Sequence, residues 1–183
     1  MKPIFTVHAG EYLVAEYIER RYPRWDVWVP SKDTGVDLLV TSRKKRGMVA
    51  LQVKFSKDFT PSSKSPLVQS RFSACGCWTH HPDKIKKSRA DFWIFVLPSF
   101  MEKETNFIIL RPGELLRRLQ AIHGHRGKLI QSYFDITKKG RCWEARGLDS
   151  ADRELVALDR FADKKRDFTV FLNAWRQIEK ELR

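Results

Sequence analysis

Two apolar runs separated by seven mostly polar residues constrain this chain more than any other feature. Val36-Asp-Leu-Leu-Val40 and Met48-Val-Ala-Leu-Gln-Val-Lys-Phe55 flank Thr41-Ser-Arg-Lys-Lys-Arg-Gly47, a pattern that predicts two buried strands joined by a polar turn. Side chains alternate across a strand, so Gln52 and Lys54 share one face while Leu51, Val53 and Phe55 take the other. Asp37 is the one charge in the first run. A carboxylate buried there without partners is costly or must change its protonation, so a cation is expected beside it.

Glu11 extends the pattern. On a helix starting near Ala9, at about 100° per residue, Val14, Ala15, Ile18 and Tyr22 fall within roughly 60° of Glu11. Glu16, Glu19 and Arg20 fall on the other side. Glu11 thus lies on the face expected to pack inward, although a carboxylate in the first turn also suits the helix dipole, and that is the plainer reading of Glu11 alone.

Gly10-Glu11 opening a helix, with Gly35-Val36-Asp37 on one strand and Gln52-Val53-Lys54 on the next, together resemble the PD-(D/E)XK nuclease superfamily. The pattern is similar to the branch with a Glu-bearing first helix, represented by archaeal Holliday-junction resolvases and Mrr-type restriction enzymes. The resemblance covers roughly residues 8 to 110. Val36 stands where the family name has proline, and Gln52 where an acidic residue is usual; Mrr-like members also carry Gln there and are nucleases. The resemblance implies an α/β fold with a restriction-endonuclease-like αβββαβ core, a mixed central sheet flanked by helices. Residues of about 111–183 are expected to add a C-terminal helical elaboration to the same domain.

For function, the resemblance implies a metal-dependent endonuclease acting on nucleic acid, DNA foremost, in restriction, recombination, repair or defence. Glu11, Asp37 and the Gln52 carbonyl would hold Mg²⁺ or Mn²⁺, both of which favour hard oxygen ligands. Lys54 would orient the attacking water or stabilise charge on the phosphate in the transition state. Each residue also has a duller role. Lys54 could contact a phosphate, Asp37 could pair with a buried Arg, and Gln52 could be an ordinary strand residue. The alternative class is a catalytically silent nucleic-acid-binding module on the same fold.

Charge points to the same kind of partner. The 183 residues include 35 Lys plus Arg against 22 Asp plus Glu, a formal charge of +13. Such a balance favours polyanions through counterion release. The candidate phosphate contacts are Lys57 and Lys64, in the polar stretch Ser56–Pro66, and the cluster Lys84, Lys86, Lys87 and Arg89. The stretch after Lys54 is expected to order over bound nucleic acid; equally, it could be a plain surface loop. No segment is long and apolar enough to span a membrane, and the first residues lack a signal-peptide core, so a cytoplasmic location is expected. Cutting both strands of a duplex would favour a homodimer, though no stretch of sequence marks an interface.

Three cysteines argue against a disulfide framework. Cys75-Gly-Cys77-Trp-Thr-His80-His81 offers two thiols and two imidazoles, but its spacing departs from usual zinc sites. The cysteines read more readily as small buried residues, with Trp78 as an anchor.

The remaining pattern is structural. Trp25–Val29, Asp91–Leu97, Phe107–Leu110, and Tyr133–Ile136 with Cys142-Trp143 read as strands. Pro112 opens a helix through Leu115, Leu116 and Leu119. Asp167 is expected to cap a final helix whose Phe168, Phe171, Leu172, Trp175, Ile178 and Leu182 form a packing stripe.

Overall fold

The computed structural model describes residues 8–32, 34–43, 45–57, 59, 65–99, 103–124 and 129–183. In chain order the elements are α1 (Ala9–Arg21), β1 (Trp25–Trp28), β2 (Leu38–Ser42), β3 (Lys45–Phe55), α2 (Pro66–Arg71), β4 (Phe72–His80) and α3 (Pro82–Lys86). There follow β5 (Phe92–Ser99), β6 (Glu104–Leu110), α4 (Pro112–His123), β7 (Ile130–Thr137), β8 (Cys142–Glu144), α5 (Ser150–Ala157) and α6 (Arg176–Glu181). Among the described residues, no helix is long and apolar enough to cross a membrane.

The expected hairpin forms, and it anchors a five-stranded mixed sheet of order β1-β2-β3-β5-β6. Neighbours are antiparallel except β3 and β5, which run parallel. A parallel pair needs a crossover connection, and here it carries α2, β4 and α3. β4 does not join the large sheet. It pairs with β7, which pairs with β8, in a second antiparallel sheet. The expected strand pair around Tyr133 and Cys142 is therefore present, but its third member comes from inside the crossover. The C-terminal part is mixed α/β, where a helical elaboration was expected.

Alternation along the strands sorts the apolar residues into layers. Leu38, Val40, Val49, Leu51, Val53, Ile94 and Val96 face Val14 and Ile18 of α1 together with Trp175, Ile178 and Leu182 near the C-terminus. On the opposite face of the large sheet, Trp93, Phe95, Leu97, Ile108 and Leu110 pack against Leu115 and Leu119 of α4 and against Trp78 and Phe134 of the second sheet. The far side of the second sheet buries Cys75 and Trp143 against Val68 of α2 and Val156 of α5. β5 is buried along its whole length, as a central strand covered on both faces should be.

The C-terminal stripe is buried as expected, but it is not one helix. Phe168 N–H donates to Cys142 O (2.8 Å) and Asn173 N–H to Phe107 O (2.6 Å). Asn173 Oδ1 accepts from Phe107 N–H (2.9 Å). The backbone of this segment bridges to β8 at Asp167 and to β6 at Ile108, with a 3₁₀ turn at Thr169–Phe171 between them. Asn173 adopts φ 51°, a left-handed conformation that Asn tolerates better than most residues. Sheet edges present unpaired backbone groups, and satisfying them outcompetes continuous helix here. Only Arg176–Glu181 completes the helix, as α6.

The first turn of α1 lies very close to β3. A Cβ on Gly10 would stand 2.7 Å from the Cβ of Phe55 and 3.3 Å from Val53 Cγ1, whereas Gly113, also the second residue of its helix, has nothing within 4 Å. Because the first obstacle sits on the strand's own Cβ, Gly10→Ala must push helix from sheet. It should lower stability by about 1–3 kcal/mol in denaturant melts, as overpacking does, while Gly113→Ala should be neutral or stabilising through helix propensity.

Candidate active site

The close approach at Gly10 places Glu11, the third residue of α1, at the end of β3. Glu11 is 4% exposed and faces inward with Val14 and Ile18. One of its oxygens, Oε2, accepts a long bond (3.4 Å) from the His8 N–H at the helix start. The helix-terminus role and the inward-facing role thus coexist in one side chain.

Asp37 sits immediately before β2 and is 7% exposed. Its N–H donates to Leu51 O (2.8 Å), and its Oδ2 accepts from Val53 N–H (2.8 Å). The same oxygen accepts from the Gln52 side-chain amide. Asp37 is therefore fastened to β3 at three consecutive residues. Gly35, with φ 79°, makes the turn that delivers it; a Cβ there would lie 3.7 Å from Gln52 Oε1.

Gln52 and Lys54 leave the face of β3 opposite α1, as alternation requires. In the parallel register Gln52 lies beside Trp93 and Lys54 beside Phe95. Lys54 Nζ stands over the Trp93 ring, 5.3 Å from its centroid, a favourable cation–π arrangement. The indole is held from below, its Nε1–H donating to Ser88 Oγ (2.9 Å).

All four residues line one cleft of about 940 Å³, together with Trp93, Thr34, Gly35 and the α3 region. Lys84, Lys87 and Arg89 also line it and are exposed. The cleft thus has buried carboxylates inside and a basic margin. Lys86 and Lys57 are exposed but lie outside its lining. Lys64 and most of the Ser56–Pro66 stretch fall outside the described residues.

Among the described residues, no group of three or more His, Cys, Asp or Glu side chains gathers to hold a metal. Two buried carboxylates, Glu11 and Asp37, share the cleft with the exposed Asp83, and the Gln52 amide supplies a further protein oxygen. That donor set fits a hard divalent cation, which retains waters and takes one or two carboxylates. The cysteine–histidine stretch is divided by β4. Cys75 packs on the Trp143 side of the second sheet, whereas His80 meets Trp93 and Phe95 on the other. His80 Nε2 pairs with Ser132 Oγ at 2.8 Å. Cys75 is buried as expected, but Cys77 is exposed.

Trp93 is a cleft residue that the sequence pattern did not single out, because it reads only as part of an apolar strand. Its role follows from the parallel register with Gln52, and sequence does not state which strand lies next to which. The fivefold spacing from Ser88 is the one local cue, since a buried indole N–H seeks an acceptor.

Two buried groups of the second sheet titrate in opposite senses. Burial, and then the Lys54 ammonium, push His80 down from 6.5 to about 4. Burial lifts Asp135 from 3.8 to about 6, against the pull of Arg153 and a hydrogen bond from Cys75, with Glu144 adding to the rise. As pH falls from 6.5 to 4, the unfolded chain gains a proton at His80 that the folded chain refuses, so stability drops. As pH falls from 6 to 3.8, the folded chain takes up a proton at Asp135 first, so stability rises. The two effects oppose each other over most of this window. Asp135→Asn should therefore steepen the loss of stability on acidification by up to about 1.4 kcal/mol per pH unit, and His80→Gln should flatten it, both read from urea midpoints between pH 7 and pH 4. Compared with family models, curated proteins and solved structures, the chain matches none.

Proposed function

We propose that this chain is a metal-dependent nuclease with a PD-(D/E)XK-type core. The observation that carries the reading is the lining of one cleft by Glu11, Asp37, Gln52 and Lys54. The order of elements supports it: a helix bearing the first acid, a three-stranded antiparallel meander with Asp37 entering its second strand and Gln-x-Lys on its third, and a crossover to a parallel strand. The crossover departs from the simplest version of that core by carrying β4.

In this reading Glu11, Asp37 and the Gln52 carbonyl hold Mg²⁺ or Mn²⁺. Such an ion supplies polarisation of the scissile phosphate and a bound water of lowered pKa. Lys54, steadied over Trp93, places its ammonium where negative charge grows on the phosphate. Lys84, Lys87 and Arg89 take flanking phosphates, which position a nucleic acid without reading its bases. DNA is the substrate class that the sequence resemblance favours.

One contact favours the silent-binder alternative. The Gln52 amide N–H occupies an Asp37 oxygen that a cation would use, and metal binding requires that amide to turn its carbonyl inward.

Cleavage of plasmid, single-stranded DNA and RNA with Mg²⁺ or Mn²⁺ separates the two. Asp37→Ala should abolish cleavage and Lys54→Ala should lower it by about 10²–10³-fold, with binding retained. Gln52→Glu restores a negative charge and should lower the metal concentration needed for half-maximal activity. Binding without cleavage on every substrate and ion would leave only the silent module.

The basic margin makes a separate prediction. If Lys84, Lys87 and Arg89 each neutralise a phosphate, replacing all three with Ala should reduce the slope of log affinity against log salt by about 2–3. Lys86→Ala should change it little.

A further inference from the structure

The face of the large sheet that carries Gln52 and Lys54 continues uncovered away from the cleft. On the β5–β6 half, this face is covered by α4 and the second sheet. On the β1–β2–β3 half, Trp28 is 57% exposed and Met48 62% exposed. Alternation puts both on the cleft side, because Trp25, Val40 and Val49 pack toward α1 and Trp28 and Met48 are the opposite-facing neighbours of this register.

Trp28 is held rather than loose. Its indole Nε1–H donates to Thr41 Oγ1 (3.0 Å), which fixes the ring while leaving it largely exposed. It lines a hollow of about 640 Å³ at the free edge of β1, with the Asp26–Arg43 pair in the same hollow. Trp28 is in register with Leu39 and, through it, with Ala50. Gln52 is two residues further along β3, so strand spacings put the Trp28 and Gln52 backbones roughly 12 Å apart on one face. Thr34 and Gly35, on the segment between β1 and Asp37, line the cleft itself. The open face and the cleft thus lie on one side of the sheet, within reach of one strand.

We propose that Trp28 is a stacking platform for an unpaired base, so that the preferred substrate carries a single-stranded segment beside the scissile phosphate. This rests on the nuclease reading of the cleft and narrows its substrate class. Bases inside a duplex already have both faces stacked, whereas a splayed base can lie on an aromatic ring, and such stacking tolerates any base. Phosphates of the same strand pass to the basic margin at Lys84, Lys87 and Arg89. The position of Trp28 on the exposed face, and not in the core, is what this role requires.

The test measures affinity, at one fixed salt concentration and without divalent metal, for a single-stranded oligonucleotide, a forked duplex and a blunt duplex. Trp28→Ala should weaken single-strand and fork binding by about tenfold and leave the blunt duplex within a factor of about two. Trp28→Phe should restore most of the loss, which a purely structural effect would not produce. Metal-dependent cleavage is then measured on the same three substrates. A wild-type protein that cuts while Trp28→Ala keeps its single-strand affinity overturns the platform and leaves the nuclease reading. Single-strand binding that depends on Trp28, with no cleavage under any ion, overturns the nuclease reading and leaves the platform. Equal weakening on all three substrates overturns the platform.

Discussion

The alternation of β3 between its two faces is the constraint on which both the core and the cleft depend. Val49, Leu51 and Val53 commit one face to the layer beneath α1. Gln52 and Lys54 are thereby committed to the other, beside Trp93 and Phe95 of the parallel neighbour. A slip of one residue would drive an amide and an ammonium into the apolar layer and expose three aliphatic side chains, so the hydrophobic pattern specifies the polar pair's position. Asp37 reinforces the same register, since its backbone and side chain engage Leu51, Gln52 and Val53 in succession. Packing and site geometry are one solution here.

Electrostatics then act on a scaffold that is already fixed. Two buried carboxylates enter the cleft from separate elements, Glu11 from α1 and Asp37 from the loop before β2. Both accept hydrogen bonds from backbone N–H groups, at His8 and Val53 respectively. On the side of Lys54 toward the second sheet, His80 is kept neutral by burial and by the Lys54 charge, so it adds no cation to the cleft at neutral pH. The cleft so formed has acids inside and a basic margin, the charge pattern on which the proposed nuclease reading draws.

Local patterns made much of this legible before any coordinates. The hairpin, the inward turn of Glu11, the strand nature of β5 and the shared face of Gln52 and Lys54 all follow from the pattern within one element, where side-chain direction is set by backbone geometry. What was not legible depends on pairing between distant segments. The apolar stripe from Phe168 to Leu182 has helical spacing, yet the open edges of β8 and β6 capture its first half through Phe168 and Asn173. β4 was not expected as a strand at all: Cys75-Gly-Cys77 drew attention as chemistry, and its partner β7 lies some fifty residues later. Of the basic candidates, Lys84, Lys87 and Arg89 reach the cleft while Lys86 does not, a distinction set by one short helix whose Ile85 is buried.

The pairing of β4 with β7 explains where the cleft is. With β4 drawn into a second sheet, Trp78 and His80 press against Phe95 and Trp93, and Gly76 permits the tight fold of Trp78 over β4, since a Cβ there would meet the indole at 2.5 Å. Cover over the large sheet therefore reaches β5 and stops short of Gln52 and Lys54 on the next strand. Removing this cover would leave Trp93 solvated, taking away the dry ring over which the Lys54 ammonium rests. Extending it by one more strand would bury the polar pair of β3 and close the open face that runs on to Trp28. The boundary between the covered and uncovered halves of one sheet thus holds a half-buried ammonium in one cleft with two buried carboxylates. It does so with side chains that the apolar layers need for their own stability.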